Sequence, residues 1–354
     1  MERGYISIFC SDDDQALEAL ALISEEEAKA CTKKVFIPDG RLSLGSALLK
    51  RLFVSKSLGI PWDEVKYGRR GDPKHGKPAA VLPDGSFAPI DFNVSHQNGL
   101  VALVGWRPNN VSTFVGESAQ VGVDIVCDNE RNDYRLIDMD GFDEWIDVYE
   151  EIFSDEERWD LKYHVDAVTL LDGQQIDRYN LGRADRCVRR GEELTATTPS
   201  GQHITFDSDI LIEAKLRRFY VSWCYKEAYI KLTGEALLAP WLKNLEFHNV
   251  RSPQQGVVPR CSVHGVWGEK IDDVEVFMHG KRRHDVKMAI QALEEHYMIA
   301  TAVRGEDLPD VPSFESLNTE SDILAYARNN RVDNTKTSAE IGKHIARERQ
   351  AMPT

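Results

Sequence analysis

The segment Val121-Gly122-Val123-Asp124-Ile125-Val126 sets the tightest condition on any fold this chain can adopt. Its apolar residues predict a buried strand. Its one acid, Asp124, goes inside with them, and even a neutral polar group left unpaired there costs roughly 2–7 kcal/mol. The fold must therefore bring a buried cation or a metal ion to Asp124. Taken alone, such an acid is most simply half of a structural ion pair.

The segments around this strand alternate between helical and extended patterns. Residues 13–31 have alanine, leucine and glutamate at helical spacing, and Ser24 followed by Glu25, Glu26 and Glu27 has the form of a helix N-terminus. Leu42, Leu44, Leu48, Leu49 and Leu52 make an apolar stripe and predict a helix over 41–57. Gly68–Gly85, rich in Gly, Pro and Lys, predicts a loop. Phe92–His96 and Leu100–Gly105 predict a hairpin turned at Asn98-Gly99. Residues 142–162 read as helix, with Trp145, Val148, Ile152 and Phe153 as its apolar positions. From 164 to 208 the periodicity fades, as in a surface insertion. A long helix follows over 212–232, then short strands at 242–247, 274–278 and 298–303. Beyond 306 the chain turns polar, with Pro309 and Pro312 as breakers and helical character at 319–328 and 338–349. The expected division is an N-terminal half over 1–118, a C-terminal half over 119–305 and a tail over 306–354.

Composition narrows the class of protein. A chain of 354 residues with 42% hydrophobic content can bury a sizeable core. No apolar run reaches membrane-spanning length, and Met1-Glu2-Arg3-Gly4 does not open a signal pattern, so a soluble cytoplasmic protein is expected. The six cysteines, Cys10, Cys31, Cys127, Cys187, Cys224 and Cys261, include no Cys-x-x-Cys pair, which favours buried free thiols over a zinc site. A formal net charge of −15 is unsuited to general nucleic-acid binding. Any anionic ligand needs a local basic cluster: Lys33-Lys34, Lys50-Arg51, Arg69-Arg70, Arg217-Arg218 or Lys281-Arg282-Arg283. Each pair by itself reads as a solvated face.

Three segments together carry chemistry: Gly76-Lys77-Pro78 with Phe92-Asn93-Val94-Ser95-His96-Gln97; Gly122-Val123-Asp124-Ile125; and Trp223-Cys224-Tyr225-Lys226-Glu227-Ala228-Tyr229-Ile230-Lys231. Glu227 and Lys231 share a helix face and alone would be an ordinary ion pair. Ser95-His96 in sequence is no catalytic pair. Combined, two carboxylates can hold a hard cation such as Mg²⁺ while the lysines and His96 bind phosphate oxygens. That is the outline of a phosphoryl-transfer site.

In order and spacing these segments, with Phe153-Ser154-Asp155-Glu156-Glu157 between them, resemble the Sfp-type 4′-phosphopantetheinyl transferases over roughly residues 35–305. The long insertion before Trp223 is similar to the broad-specificity fungal branch. The resemblance implies two pseudo-symmetric α+β halves with the active site in the cleft between them. It implies coenzyme A as substrate, 3′,5′-ADP as leaving group and Mg²⁺ as cofactor. Asp124 and Glu227 match the metal-binding acids, and Glu227 the base that deprotonates a carrier serine. Lys226 and Lys231 match lysines at the pyrophosphate, Ser95 and His96 the 3′-phosphate site, and Lys77-Pro78 the adenine-side loop. Arg41, Arg69 and Arg70 align with basic residues around the nucleotide phosphates.

One position departs from the bacterial pattern. An acid two residues after the aspartate is replaced by Val126, and positions 124 and 126 of a strand point the same way. Gln97 is then expected to complete a metal shell of Gln97, Asp124 and Glu227. The partners implied are acyl, peptidyl and aryl carrier domains, of fatty acid synthase, polyketide synthase, peptide synthetase or aminoadipate reductase. Such carriers are acidic, so docking calls for an apolar and basic patch, expected around Leu48, Lys50 and Arg51 or after Lys231. A single chain with two halves is expected to act as a monomer. Two rivals stand beside this reading: another Mg²⁺-dependent nucleotide phosphoryl transferase, and a non-catalytic module that binds coenzyme A or a carrier.

Overall fold

Helix α3 organises the first of two compact units in this computed structural model. The structure describes residues 4–332 except 9–12, 73–75, 112, 113, 115, 117, 131, 171, 172, 178, 182–188, 199, 236–238, 257–264, 306–309 and 312. Cys10, Cys187, Cys261, Pro309, Pro312 and the helix expected at 338–349 lie outside them. The first unit joins residues 1–124, 231–235 and 303–354; the second joins 125–230 and 236–302.

The first unit begins with β1 (Gly4–Ile8), α1 (Asp13–Leu20), α2 (Glu25–Thr32) and α3 (Ile37–Leu58). The single helix expected over 13–31 is thus two, because Ser24 caps α2 in a reciprocal capping box with Glu27. Glu27 also takes the guanidinium of Arg51 at 2.5 Å. Arg51 and Leu48 are buried, so the docking patch expected there is part of the core. The region expected as a loop forms a hairpin of β2 (Tyr67–Arg70) and β3 (Lys77–Ala80), with Arg70 opposite Lys77. β4 (Asp91–Gln97) and β5 (Leu100–Trp106) form the predicted hairpin. Its turn residues, Asn98 and Gly99, both have positive φ, as a two-residue type I′ turn requires. Leu48, Leu52 and Phe53 of α3 pack with Phe92, Val101 and Leu103 of this hairpin. Gly105 permits the contact, since a Cβ there would stand 2.1 Å from the Phe53 ring.

β6 (Gln120–Cys127) carries the sequence across the division between units. The helix expected over 142–162 is broken. After α4 (Asp133–Asp140) come α5 (Phe142–Asp147) and α6 (Asp155–Tyr163), because Ser154 and Glu157 cap α6 in a second capping box. Val148, expected on the buried side, is exposed. The 164–208 region contains β7 (Val168–Thr169) with β8 (Gln175–Ile176), and β9 (Glu193–Thr197) with β10 (His203–Asp207). The second hairpin buries alternate residues, Leu194 and Ala196 against Ile204 and Phe206.

Helix α7 (Asp209–Thr233) is buried nearly all round. Phe219 packs edge-on or tilted against Trp145, Tyr149 and Phe153 at centroid distances of 4.6, 4.8 and 5.7 Å. Arg217 and Arg218, expected on a solvated face, are buried in ion pairs: Arg217 with Asp128, Arg218 with Asp160 and Asp166. Strands β11 (Leu245–His248), β12 (Trp267–Ile271), β13 (Glu275–Met278), β14 (Lys281–Arg282), β15 (Val286–Leu293) and β16 (Tyr297–Arg304) complete this region, with a four-stranded sheet in the order β12-β15-β16-β6. The chain then returns to the first unit. β17 (Phe314–Leu317) pairs in parallel with β1, giving the order β17-β1-β5-β4, and Ile323, Leu324 and Ala327 around α8 (Ala325–Asn329) enter the α3 core. Cys31, Cys127 and Cys224 are buried thiols. No helix among the described residues is long and apolar enough to cross a membrane.

Candidate active site

Asp91, Asn93 and Ser95 alternate along β4, share one face of the strand and bind β6 in succession. Asp91 Oδ2 accepts the Val121 N–H at 2.8 Å, Asn93 Oδ1 accepts the Val123 N–H at 3.0 Å, and Ser95 Oγ donates to Asp124 Oδ1 at 2.9 Å. β4 and β6 belong to different sheets, so side chains here take the place of a backbone ladder. All three are buried, and each bond satisfies a group that burial would otherwise penalise.

Lys231 meets the condition that Asp124 imposes. Its Nζ lies 2.5 Å from Asp124 Oδ1 and donates to Ser95 Oγ at 2.9 Å. The ammonium reaches a buried carboxylate while its own side chain stays 29% exposed. Gln97 is the next residue on the β4 face that carries Ser95. His96 points to the other face, so the adjacent pair Ser95-His96 divides between two surroundings. Desolvation of the His96 ring, and then the charges of Lys231 and Lys34, lower its pKa, while Asp39 opposes them.

A second cluster lies where β4 begins. Lys77 Nζ donates to Asp91 Oδ2 and, at 2.6 Å, to the Val121 carbonyl. Burial pushes the Lys77 ammonium down in pKa against the pull of Asp91. Arg70 donates to the Ala88 and Ile90 carbonyls at 3.0 Å and reaches Asp91 at 3.4 Å. Arg69 is exposed and bonds the Gly76 carbonyl, and Pro78 lies opposite it across the hairpin. Arg41 is half-buried on α3.

Lys226 and Glu227 sit in the second unit. Lys226 is 1% exposed. Its Nζ donates to Glu157 Oε2 at 2.8 Å, to the Leu242 carbonyl at 3.2 Å and to the Leu245 carbonyl. An ammonium has three protons, and here none is left over for a ligand. Burial raises the Glu157 carboxyl and lowers the Lys226 ammonium in pKa, and their ion pair opposes both shifts. Glu227 is half-buried, one helical turn before Lys231.

Among the described residues, no three of His, Cys, Asp or Glu come together as a metal cage. The donor chemistry nonetheless suits magnesium, which takes oxygen ligands, few of them from protein, and keeps several waters. In the first unit, Asp124 offers a carboxylate oxygen and Gln97 an amide oxygen on the neighbouring strand face. An ammonium held on a buried carboxylate also marks a place where positive charge is required.

Sequence reasoning missed Asp91 and Asn93. Their signal is the alternation Asp-x-Asn-x-Ser in an otherwise apolar strand, which calls for a polar partner on one face. The role of Glu157 leaves no local signal, because its partner Lys226 lies 69 residues further along the chain.

Comparison with known proteins is consistent across kingdoms. Residues 11–107 match a family model described as "4′-phosphopantetheinyl transferase, N-terminal". The chain is 61% identical to a 4′-phosphopantetheinyl transferase of Aureobasidium melanogenum over 314 residues, 89% of this chain and 92% of the relative. It is 32% identical to 4′-phosphopantetheinyl transferase NpgA of Emericella nidulans, over 82% of this chain and 78% of the relative. It is 23% identical to the human L-aminoadipate-semialdehyde dehydrogenase-phosphopantetheinyl transferase, over 84% and 73% respectively.

Proposed function

The chain belongs to the 4′-phosphopantetheinyl transferase family, and from that premise we propose a magnesium-dependent transfer of phosphopantetheine from coenzyme A to a carrier-protein serine. The serine hydroxyl attacks the β-phosphorus of coenzyme A, the anhydride bond breaks, and 3′,5′-ADP leaves. Glu227 takes the hydroxyl proton, directly or through a water. Lys231 offsets the charge that grows on the leaving group, since its ammonium is already held at Asp124 and partly exposed. Asp124, Gln97 and Glu227 would hold Mg²⁺, which when bound spreads negative charge on the pyrophosphate. His96, Arg41 and Arg69 receive the nucleotide's phosphates. Lys77 and Arg70 hold the floor of this site through Asp91. Lys226 anchors α7 through Glu157. Ser95 orients Asp124 and Lys231 by bonding both. Little covalent chemistry is asked of the protein, so positioning and electrostatics dominate the rate.

The carriers proposed are the acyl, peptidyl and aryl carrier domains of fatty acid synthase, polyketide synthases, peptide synthetases and aminoadipate reductase. The last is supported by the name of the human relative. The enzyme is proposed to act in the cytoplasm as a monomer.

The observation that carries this reading is the Ser95–Asp124–Lys231 cluster, a buried carboxylate and a cation, in a chain of this family. The test is intact-mass spectrometry of apo carriers incubated with the protein, coenzyme A and Mg²⁺. The expected result is a carrier heavier by one phosphopantetheine arm, dependent on Mg²⁺ and abolished by chelation. Consumption of a nucleotide with no carrier gaining mass contradicts it, as does coenzyme A binding without turnover.

A further inference from the structure

Residues 32–39, between the end of α2 and the first turn of α3, are all exposed, and three of them are large and apolar. Val35 is 88% exposed, Phe36 68% and Ile37 70%. Isolated exposed apolar residues are ordinary, but three in succession form a patch of the kind that proteins bury against partners. Phe36 occupies the N-cap position of α3 and makes no capping bond there, so helix capping does not explain its presence. Exposed Lys33 and Lys34 lead into the patch.

The charge of this stretch runs against that of the whole chain, whose net is −15. An acidic partner is repelled by most of this surface and attracted at Lys33-Lys34, where steering by unlike charge is strongest.

We infer that Lys33-Lys34-Val35-Phe36-Ile37 is the docking surface for the acidic carrier protein, with Phe36 inserting between apolar side chains of the carrier and the two lysines facing its carboxylates. This inference rests on the transferase reading and supplies its partner surface. It replaces the patch expected at Leu48 and Arg51.

The test is steady-state transfer to an apo acyl carrier protein by wild type, Phe36→Asp and Lys33→Glu, with binding of the same carrier measured by calorimetry without coenzyme A. Phe36 packs little within the chain, so its variant should melt as wild type does. Phe36→Asp should raise the KM for carrier at least tenfold and weaken binding to the same degree, leaving the KM for coenzyme A within twofold. Lys33→Glu should raise the carrier KM severalfold and flatten its dependence on salt. An unchanged carrier KM and affinity in both variants overturns the inference while the transferase reading stands. A raised KM for coenzyme A alone overturns it by assigning the patch to the nucleotide. A wild-type dimer dissolved by Phe36→Asp overturns it by assigning the patch to a second copy. Wild type that binds carrier through Phe36 yet adds no mass supports the docking surface and contradicts the transferase reading. Wild type that neither binds nor modifies the carrier contradicts both.

Discussion

Lys226 and Lys231 belong to one helix and one sequence motif, yet their surroundings have opposite characters. Lys226 is enclosed, with a carboxylate and two carbonyls taking its protons. Lys231 is partly exposed and is shared between a serine and an acid on neighbouring strands. The difference teaches that membership of a motif does not assign a charge to a ligand. Burial and the number of internal acceptors decide whether a cation can serve chemistry or is consumed by the fold.

The largest effects should come from the Asp124 side. Asp124→Ala and Glu227→Ala should each lower the transfer rate by roughly 10²–10⁴-fold, the range for losing a positioned acid–base or charge-stabilising group. Circular dichroism and melting should show a retained fold. Near-normal transfer by either variant would break the comparison at its functional end.

The Lys226 side should respond in stability. Lys226→Met strands Glu157 in the interior and should cost about 3–5 kcal/mol, measured by urea unfolding. Adding Glu157→Leu removes the stranded charge and should recover most of that loss. A Lys226→Met protein as stable as wild type would remove the contrast between the two lysines.

The β4–β6 ladder offers a finer probe. Asn93→Leu leaves the Val123 N–H buried without its partner and should cost about 1–3 kcal/mol. Because Val123 precedes Asp124, the same change should lower kcat more than it raises the KM for coenzyme A.

The smallest effect concerns pH. His96 has its pKa lowered in the folded state, so on acidification the unfolded chain takes up a proton first. Its neutral form contributes stability that is complete above the ordinary histidine pKa and is lost as pH falls through the lowered value. His96→Gln should flatten the stability–pH curve in that window, and the ring's own NMR titration should fall below about 6.5. A midpoint above that value would contradict the surroundings described for His96.

Much of this organisation was legible from periodicity. Apolar spacing placed α3 and α7, and alternation with Asn98-Gly99 placed β4 and β5. The acid in β6 required a counter-charge, and partly exposed Lys231 supplies it. Other features depend on contacts distant in sequence. Val286–Leu293 is buried on both faces and lacks a clean alternating pattern, so β15 was missed. Asp91 and Asn93 gain their meaning only when β6 comes alongside them. β17 is short and polar in part, and its place is set by pairing with β1 at the far end of the chain. Lys226 and Lys231 are indistinguishable as letters, because the carbonyls of Leu242 and Leu245 that enclose Lys226 leave no mark in the sequence.

The most direct measurement sets the two lysines side by side: single-turnover transfer from coenzyme A to an apo carrier by Lys231→Met and by the double variant Glu157→Leu/Lys226→Met, each confirmed as folded. The account predicts a loss of about 10²–10³-fold for Lys231→Met, as for removal of one charge-stabilising donor, and a rate within about tenfold of wild type for the double variant, whose apolar pair replaces a structural ion pair. The reverse result, with Lys231→Met active and the folded double variant inactive, would contradict it.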